Sequence, residues 1–482
     1  MRVALVHCPF DHRSFSENLA VVDREFCHAP PIILAYVAAI LEKAGHKVLI
    51  VEANALKLSR EQTLRILKDF SPDLLGFRVD TYWFHRVVEW ASFFKERLKV
   101  PVVVGGINMA LYPRESLAHP CFDYGVLGEA NESLPQLLTA LEKGTPLASV
   151  PGLAYRAEGE VLVNPVALHM IAFDDYPFPA RHLLPNHIYS SFTSQRKNFT
   201  IMLTSTGCPC GCSFCAISRN PFRHRSARSV VDEVEECYND YNVREIDFFS
   251  ASFFVSKDFV MEFCREMTRR RIQVEWSCRS RVDQVDKELL KEAYAAGCRK
   301  IYYGIESVEE DVLKNVCKGI HAGQVRDAVA WTRAAGIGTL GFFMVGNPGD
   351  DRKSILATID FAKELKLDYV QVCRAIAKPN TGLNDRMIAS GGRDYWREYI
   401  LNEDAVTAFP TPWTLFSRRE ADEYIKWFYR SFYLRPGYIG RRLMSVKSWD
   451  ELFRFVRVAW KWFVVGDRRE SWRGRQKRSM DA

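Results

Sequence analysis

The chain has 482 residues, 48% of them hydrophobic and 26% charged; this is too long for one ordinary core, so two or three domains are expected, and the balance is that of a globular rather than a disordered protein. Its net charge of +7 is uneven, because residues 418–478 hold 17 Lys/Arg against 7 Asp/Glu and the remainder sums to −3. No apolar run reaches the ~18 residues that span a bilayer, and residues 1–7 are too short an apolar stretch for a signal peptide and lack its cleavage site.

Strand-like and helix-like segments alternate from the start. Apolar, often β-branched runs at 3–6, 48–51, 74–77, 102–104 and 124–127 predict strands. Helical spacing runs from Pro31 to a C-cap at Gly45, then over 60–70 and 84–98. Gly105, Gly106 and Gly128 fall just after strands, so residues 1–150 are predicted to form a doubly wound, Rossmann-like parallel sheet with its ligand edge at the strand C-termini. Residues 151–195 are richer in Pro, lack helical period and read as a connector. The alternation resumes over 196–390, with strands at 201–203, 245–249, 274–277, 300–304, 338–345 and 369–373. Six strands with intervening helices predict a (β/α)6 partial barrel of the TIM type. Residues 391–482 become helical, aromatic and basic, so the fold class is α/β with a helical C-terminal extension.

The segment that carries chemistry is Thr206-Gly207-Cys208-Pro209-Cys210-Gly211-Cys212-Ser213-Phe214-Cys215. Cys208, Cys212 and Cys215 follow a C-x3-C-x2-C spacing on a loop after a strand. Thiolates that close together can wrap one face of an iron–sulfur cube and leave its fourth iron open. A zinc site or buried structural cysteines are the alternatives; structural zinc wants four ligands, and no second C-x2-C pair occurs. The chain's thirteen cysteines, odd in number and scattered, do not form a disulfide framework. A reducing cytoplasm is therefore expected.

These residues resemble the radical S-adenosylmethionine (SAM) superfamily, with Phe214 where that family places an aromatic beside the last cysteine. The resemblance implies a [4Fe-4S] cluster on Cys208, Cys212 and Cys215. Its open iron would bind the amino and carboxylate groups of SAM, and an electron from it would give a 5′-deoxyadenosyl radical. Further matches follow in order. Residues 276–283, with Ser277 and Arg279, resemble the family's strand-end "RVD" segment. Residues 297–307, with Gly304 and Glu306, resemble its "GIES" strand, which reaches SAM. Residues 341–349, with Gly346, resemble its "GLPGET" strand end. Two features depart from the pattern. Cys210 stands where an aromatic is commoner, and the acidic pair after the second strand is replaced by Ser250-Ala251-Ser252, with Asp247 a little earlier.

The N-terminal half resembles the cobalamin-binding domain of one radical SAM class, through residues 30–46, Gly105-Gly106, Gly128-Glu129, residues 151–155 and residues 174–179. Backbone amides of glycine turns at strand ends suit such a cofactor. No D-x-H-x-x-G motif is present, since His12 directly follows Asp11, so a histidine lower ligand from that motif is not expected. Cys237, Cys264, Cys298, Cys317 and Cys373 lie in apolar contexts and read as small core residues. His85, His224 and His321 have no partner at metal-ligand spacing.

The resemblance implies methyl transfer to an unactivated carbon of a small or lipid-like molecule, with a flavodoxin or ferredoxin as electron donor. The alternatives are a radical rearrangement, cyclisation or ring contraction without methyl transfer, and a non-catalytic cluster-binding module. No residue is singled out as catalytic, and no nucleic-acid partner is expected. Aromatics from Trp427 to Trp472, interleaved with Lys and Arg, either close the open side of the barrel or lie on the inner face of a membrane.

Overall fold

A parallel strand covered on both faces must be apolar along its whole length, and Arg2–His7 (β1) meets that condition with four consecutive buried residues, Val3 to Val6. The computed structural model describes residues 1–9, 28–166, 172–196, 198–406, 409–445 and 453. After β1 come Ile32–Lys43 (α1), Lys47–Glu52 (β2), Arg60–Phe70 (α2), Leu74–Arg78 (β3), Phe84–Leu98 (α3), Val102–Gly105 (β4), Tyr124–Val126 (β5) and Ala130–Lys143 (α4). A reciprocal Ser59–Gln62 capping box starts α2 where the sequence places it. The five strands pair in parallel in the order β2-β1-β3-β4-β5.

The segment read as a connector contributes more than a connection. Leu153–Ala157 (β6) and Glu160–Val163 (β7) add antiparallel to the β5 edge of the first sheet. Glu158 and Gly159 between them both have positive φ, 52° and 84°, the geometry of a two-residue hairpin turn. Glu at the first turn position, instead of Asn or Asp, left that turn without its usual sequence signal.

The second sheet is wound from Phe199–Met202 (β8), Ala227–Asp240 (α5), Glu245–Phe248 (β9), Lys257–Arg269 (α6), Glu275–Ser280 (β10), Lys287–Ala295 (α7), Cys298–Glu306 (β11), Ala322–Ala334 (α8), Gly338–Val345 (β12), Arg352–Glu364 (α9) and Tyr369–Arg374 (β13). All six strands are parallel, and each pairs with the next in sequence. This is the predicted partial barrel.

Gly382–Gly391 (α10), Tyr395–Leu401 (α11), Arg418–Tyr433 (α12) and Pro436–Ser445 (α13) follow. Here the structure decides part of the aromatic question. Phe428, Tyr429 and Phe432 of α12 are buried in the barrel core. The Tyr429 hydroxyl accepts from Val372 N at 2.9 Å, and the Tyr433 hydroxyl accepts from Val370 N at 2.9 Å while donating to Val370 O at 2.9 Å. Two tyrosines one helical turn apart thus satisfy alternate residues of the edge strand β13, as a neighbouring strand would. The aromatics from 428 to 433 therefore cover the barrel edge. Trp449, Phe455, Trp460, Trp462, Phe463 and Trp472 lie outside the described residues. No helix of the described residues is long and apolar enough to cross a membrane.

A buried charge triad fastens the connector to the barrel. Arg181 lies 2.6 Å from Glu233 of α5, which also pairs with Arg225, and all three side chains are almost fully buried. Burial alone would raise the Glu233 carboxyl, but Arg181 and Arg225 on either side hold it below the usual carboxylate range.

Candidate functional site

The cysteine loop is the tip of a short hairpin. After β8, Ser205–Thr206 pairs antiparallel with Arg223–His224, and residues 207–222 project between these arms. Gly207 has φ +67°, and a Cβ there would run into the Pro221 backbone, so the turn into the first cysteine needs glycine. Ser213 N donates to Val316 O at 3.0 Å, Leu383 N donates to Ser213 O at 3.0 Å, and the Ser218 hydroxyl donates to Cys215 O at 2.6 Å. The first two bonds tie the loop to residues 316 and 383 outside it, and the third braces it internally. Cys212 is buried, while Cys208 and Cys215 are half-buried. Burial pushes the Cys208 thiol up to about 11. It also raises that of Cys212, against the pull of Lys318 and Arg281. Thiols in that state become thiolates by exchanging a proton for metal. Among the described residues no three His, Cys, Asp or Glu side chains stand gathered as a metal site; what suits an iron–sulfur cluster here is the donor chemistry, three thiols on one short, anchored loop with cations beside the innermost. Cys210 sends its amide, at 3.5 Å, to Cys208 Sγ.

Beside Cys212 stands a pair that only the folded chain reveals. Glu306 closes β11 at φ +67°, just past a register break between Gly304 and Glu306. Its carboxylate meets Lys318 Nζ at 2.9 Å, and both residues are only 6% exposed, so each charge depends on the other. A Cβ at Gly304 would lie 2.6 Å from Lys318 Nζ and 2.7 Å from Glu306 Oε1, so this glycine makes space for the pair. Lys318 Nζ is 5.7 Å from the Phe214 ring centre. Phe214, Gly304, Glu306 and Cys212 therefore converge on one spot, joined by Lys318, which the sequence reading missed. The available signal was a lysine in an apolar stretch, Val316-Cys317-Lys318. Cys317 itself departs from the reading as a core residue: it is exposed, in a turn at φ +54°.

Ser277 and Arg279 sit one strand further along and serve Asp247. The Arg279 guanidinium makes a two-pronged pair with Asp247, at 2.6 and 3.0 Å, and the Ser277 hydroxyl donates to the same carboxylate at 3.2 Å. Gly346 lies apart from both groups. Its carbonyl accepts from Trp413 Nε1 at 3.0 Å, and it lines a cavity of about 100 Å³ beside the C-terminal segment.

Gly105, Gly106 and Gly128 line a single cavity of about 250 Å³ at the C-terminal edge of the first sheet. Gly106 has φ +118°, and a Cβ there would lie 2.7 Å from Val79 O, so no other residue fits. Tyr36, Phe77 and Leu134 supply apolar wall. Thr206 and Arg223, the arms of the cysteine hairpin, line the same cavity. Arg223 pairs there with Glu129, which also accepts from the Tyr176 hydroxyl. The lining, mostly apolar with glycine turns and a few polar groups, is of the kind that suits the face of a corrinoid, and it reaches the arms of the cysteine hairpin.

The comparisons with known proteins agree with this geometry. The family model for the radical SAM superfamily matches residues 202–362, and that for the B12 binding domain matches residues 20–138. The chain is 30% identical over 416 residues to an uncharacterized methyltransferase of Pyrococcus horikoshii, covering 84% of this chain and 88% of the relative. It is 27% identical to the anaerobic magnesium-protoporphyrin IX monomethyl ester cyclase of Rubrivivax gelatinosus, over 70% of this chain and 63% of that protein. The fold is shared with the radical SAM methyltransferase TsrM of Kitasatospora setae, solved with cobalamin and a [4Fe-4S] cluster, at a TM-score of 0.64, 21% identity and coverage of 80% of this chain and 75% of that one.

Proposed function

The chain belongs to the radical SAM superfamily, in the class that carries a B12-binding domain, and from that premise we propose that it transfers a methyl group to an unactivated carbon of a small, apolar or lipid-like molecule. When bound, the cluster supplies the electron that cleaves SAM, and the corrinoid supplies the methyl group. Cys208, Cys212 and Cys215 hold the cluster. Gly304 leaves the space for the Glu306–Lys318 pair, which presents opposite charges to the amino-acid end of SAM beside Cys212. Gly105, Gly106 and Gly128 offer backbone to the corrinoid, and the apolar wall around them keeps water away. The observation that carries the reading is the shared cavity, in which the glycine edge of one domain faces the cysteine hairpin of the other.

Reconstituted protein incubated with methyl-labelled SAM and an extract from a strain lacking the gene should yield a product carrying one labelled methyl group. A cyclised or rearranged product without label would favour the second reading, which the likeness to the cyclase supports. A flavodoxin or ferredoxin is the electron donor expected for either chemistry. A location at the inner face of the membrane rests on the basic, aromatic stretch after residue 445. It predicts co-sedimentation with anionic liposomes that weakens with salt and disappears on truncation after Pro436. No binding at low salt by the intact chain would remove this location.

A further inference from the structure

Apart from Gly346 on its lining, the smaller cavity lies outside everything assigned above, and its lining is unlike that of the corrinoid cradle. Three parts of the chain meet there: Tyr82 after β3, Gly346 and Arg374 at the C-terminal ends of β12 and β13, and the C-terminal segment through Trp396, Phe409 and Arg418. It therefore sits where the ligand edges of both sheets face the same side. The aromatic wall is built, not incidental. Trp396 stacks on Phe409 with ring centres 3.9 Å apart and meets Tyr82 edge-on at 5.0 Å. Trp396 is 4% exposed. At about 100 Å³ the space is somewhat smaller than the ~150 Å³ of a cavity that takes a benzene ring, so it suits one end of a substrate and not a large substrate in full.

The charge in this cavity is unbalanced. Arg374 pairs with Asp422 at 2.9 Å, whereas Arg418, exposed at the rim of the same cavity, has no ion-pair partner among the described residues. Two cations thus face one carboxylate. Burial lowers the proton affinity of Arg374, and Arg418 lowers it further despite Asp422. An anion entering beside Arg418 would relieve that repulsion, and a flat apolar group attached to it would pack on the aromatic wall.

We propose that this cavity receives the anionic end, a carboxylate or a phosphate, of an amphipathic substrate, with Arg418 and Arg374 holding the charge and Tyr82, Trp396 and Phe409 holding the adjoining apolar group. This names the substrate class for the methyl transfer proposed above and rests on that reading. Calorimetric titration of the full-length chain with benzoate, phenyl phosphate and the neutral benzamide tests it. At least one anion should bind more tightly than benzamide by about tenfold or more, the worth of one charge-assisted contact. Arg418→Gln should abolish the preference, Arg418→Lys should keep part of it, and Asp422→Asn, which removes the competing carboxylate, should strengthen it. The tighter of the two anions identifies the head group as carboxylate or phosphate. Equal binding of all three probes, no binding of either anion, or an unchanged preference in Arg418→Gln would overturn the proposal. The titration involves neither SAM cleavage nor label transfer, so it can fail while the methyl transfer stands, and the reverse.

Discussion

Cys210 sits between two of the cluster thiols, and this makes the ligand assignment testable one residue at a time. Its backbone amide reaches Cys208 Sγ and survives loss of the side chain, whereas the contact of its thiol with that of Cys208 does not. Cys208→Ala, Cys212→Ala and Cys215→Ala should each abolish the visible absorbance of the anaerobically reconstituted cluster, while Cys210→Ala keeps most of it. Loss of absorbance in Cys210→Ala with retention in Cys212→Ala would mean that the ligand set is wrong. The cysteine loop could be read from the sequence, because a spacing is a local property. The Glu306–Lys318 pair could not. It depends on a register break and a positive φ at Glu306, neither of which the motif announces. Ser277 and Arg279 were legible as strand-end polar residues, but their convergence on Asp247 follows only once β9 and β10 are paired in register.

At the scale of elements, the tyrosines of α12 illustrate how a helix can finish a sheet. Tyr433→Phe removes one acceptor and one donor from β13 and leaves the Val370 N–H in a buried setting without its partner. A loss of about 1–3 kcal/mol in stability is expected, read as a lower denaturant midpoint with an unchanged slope. An unchanged midpoint would show that the helix covers the edge without bonding it. The strands and helices themselves were largely legible, since a buried parallel strand and an amphipathic helix each write a period into the sequence. The predicted helices over 60–70 and 84–98 are the observed α2 and α3. What escaped was the β6–β7 hairpin, short, half-exposed and joined by a turn without Asn or Asp.

At the scale of the molecule, two kinds of contact fix the domains against each other. The Arg181–Glu233–Arg225 triad joins the connector to α5 in a dry setting. There each charge is kept by its partners, so removing one member would leave the others buried and uncompensated. The Glu129–Arg223 pair spans 94 positions of sequence at the mouth of the corrinoid-type cavity. No pattern in the chain announces that pairing, which is why each half was legible and their juxtaposition was not. Because the cavity has walls from both domains, cofactor retention is the property most sensitive to whether the account is right. The direct test is the metal content of full-length protein reconstituted anaerobically with iron, sulfide and hydroxocobalamin and then desalted. About four irons and about one cobalt per chain are predicted, with cobalt lost and iron kept in Gly106→Val, where a side chain would collide with Val79. Iron without cobalt in the wild-type protein would contradict the account and leave the first sheet as a fold without its ligand.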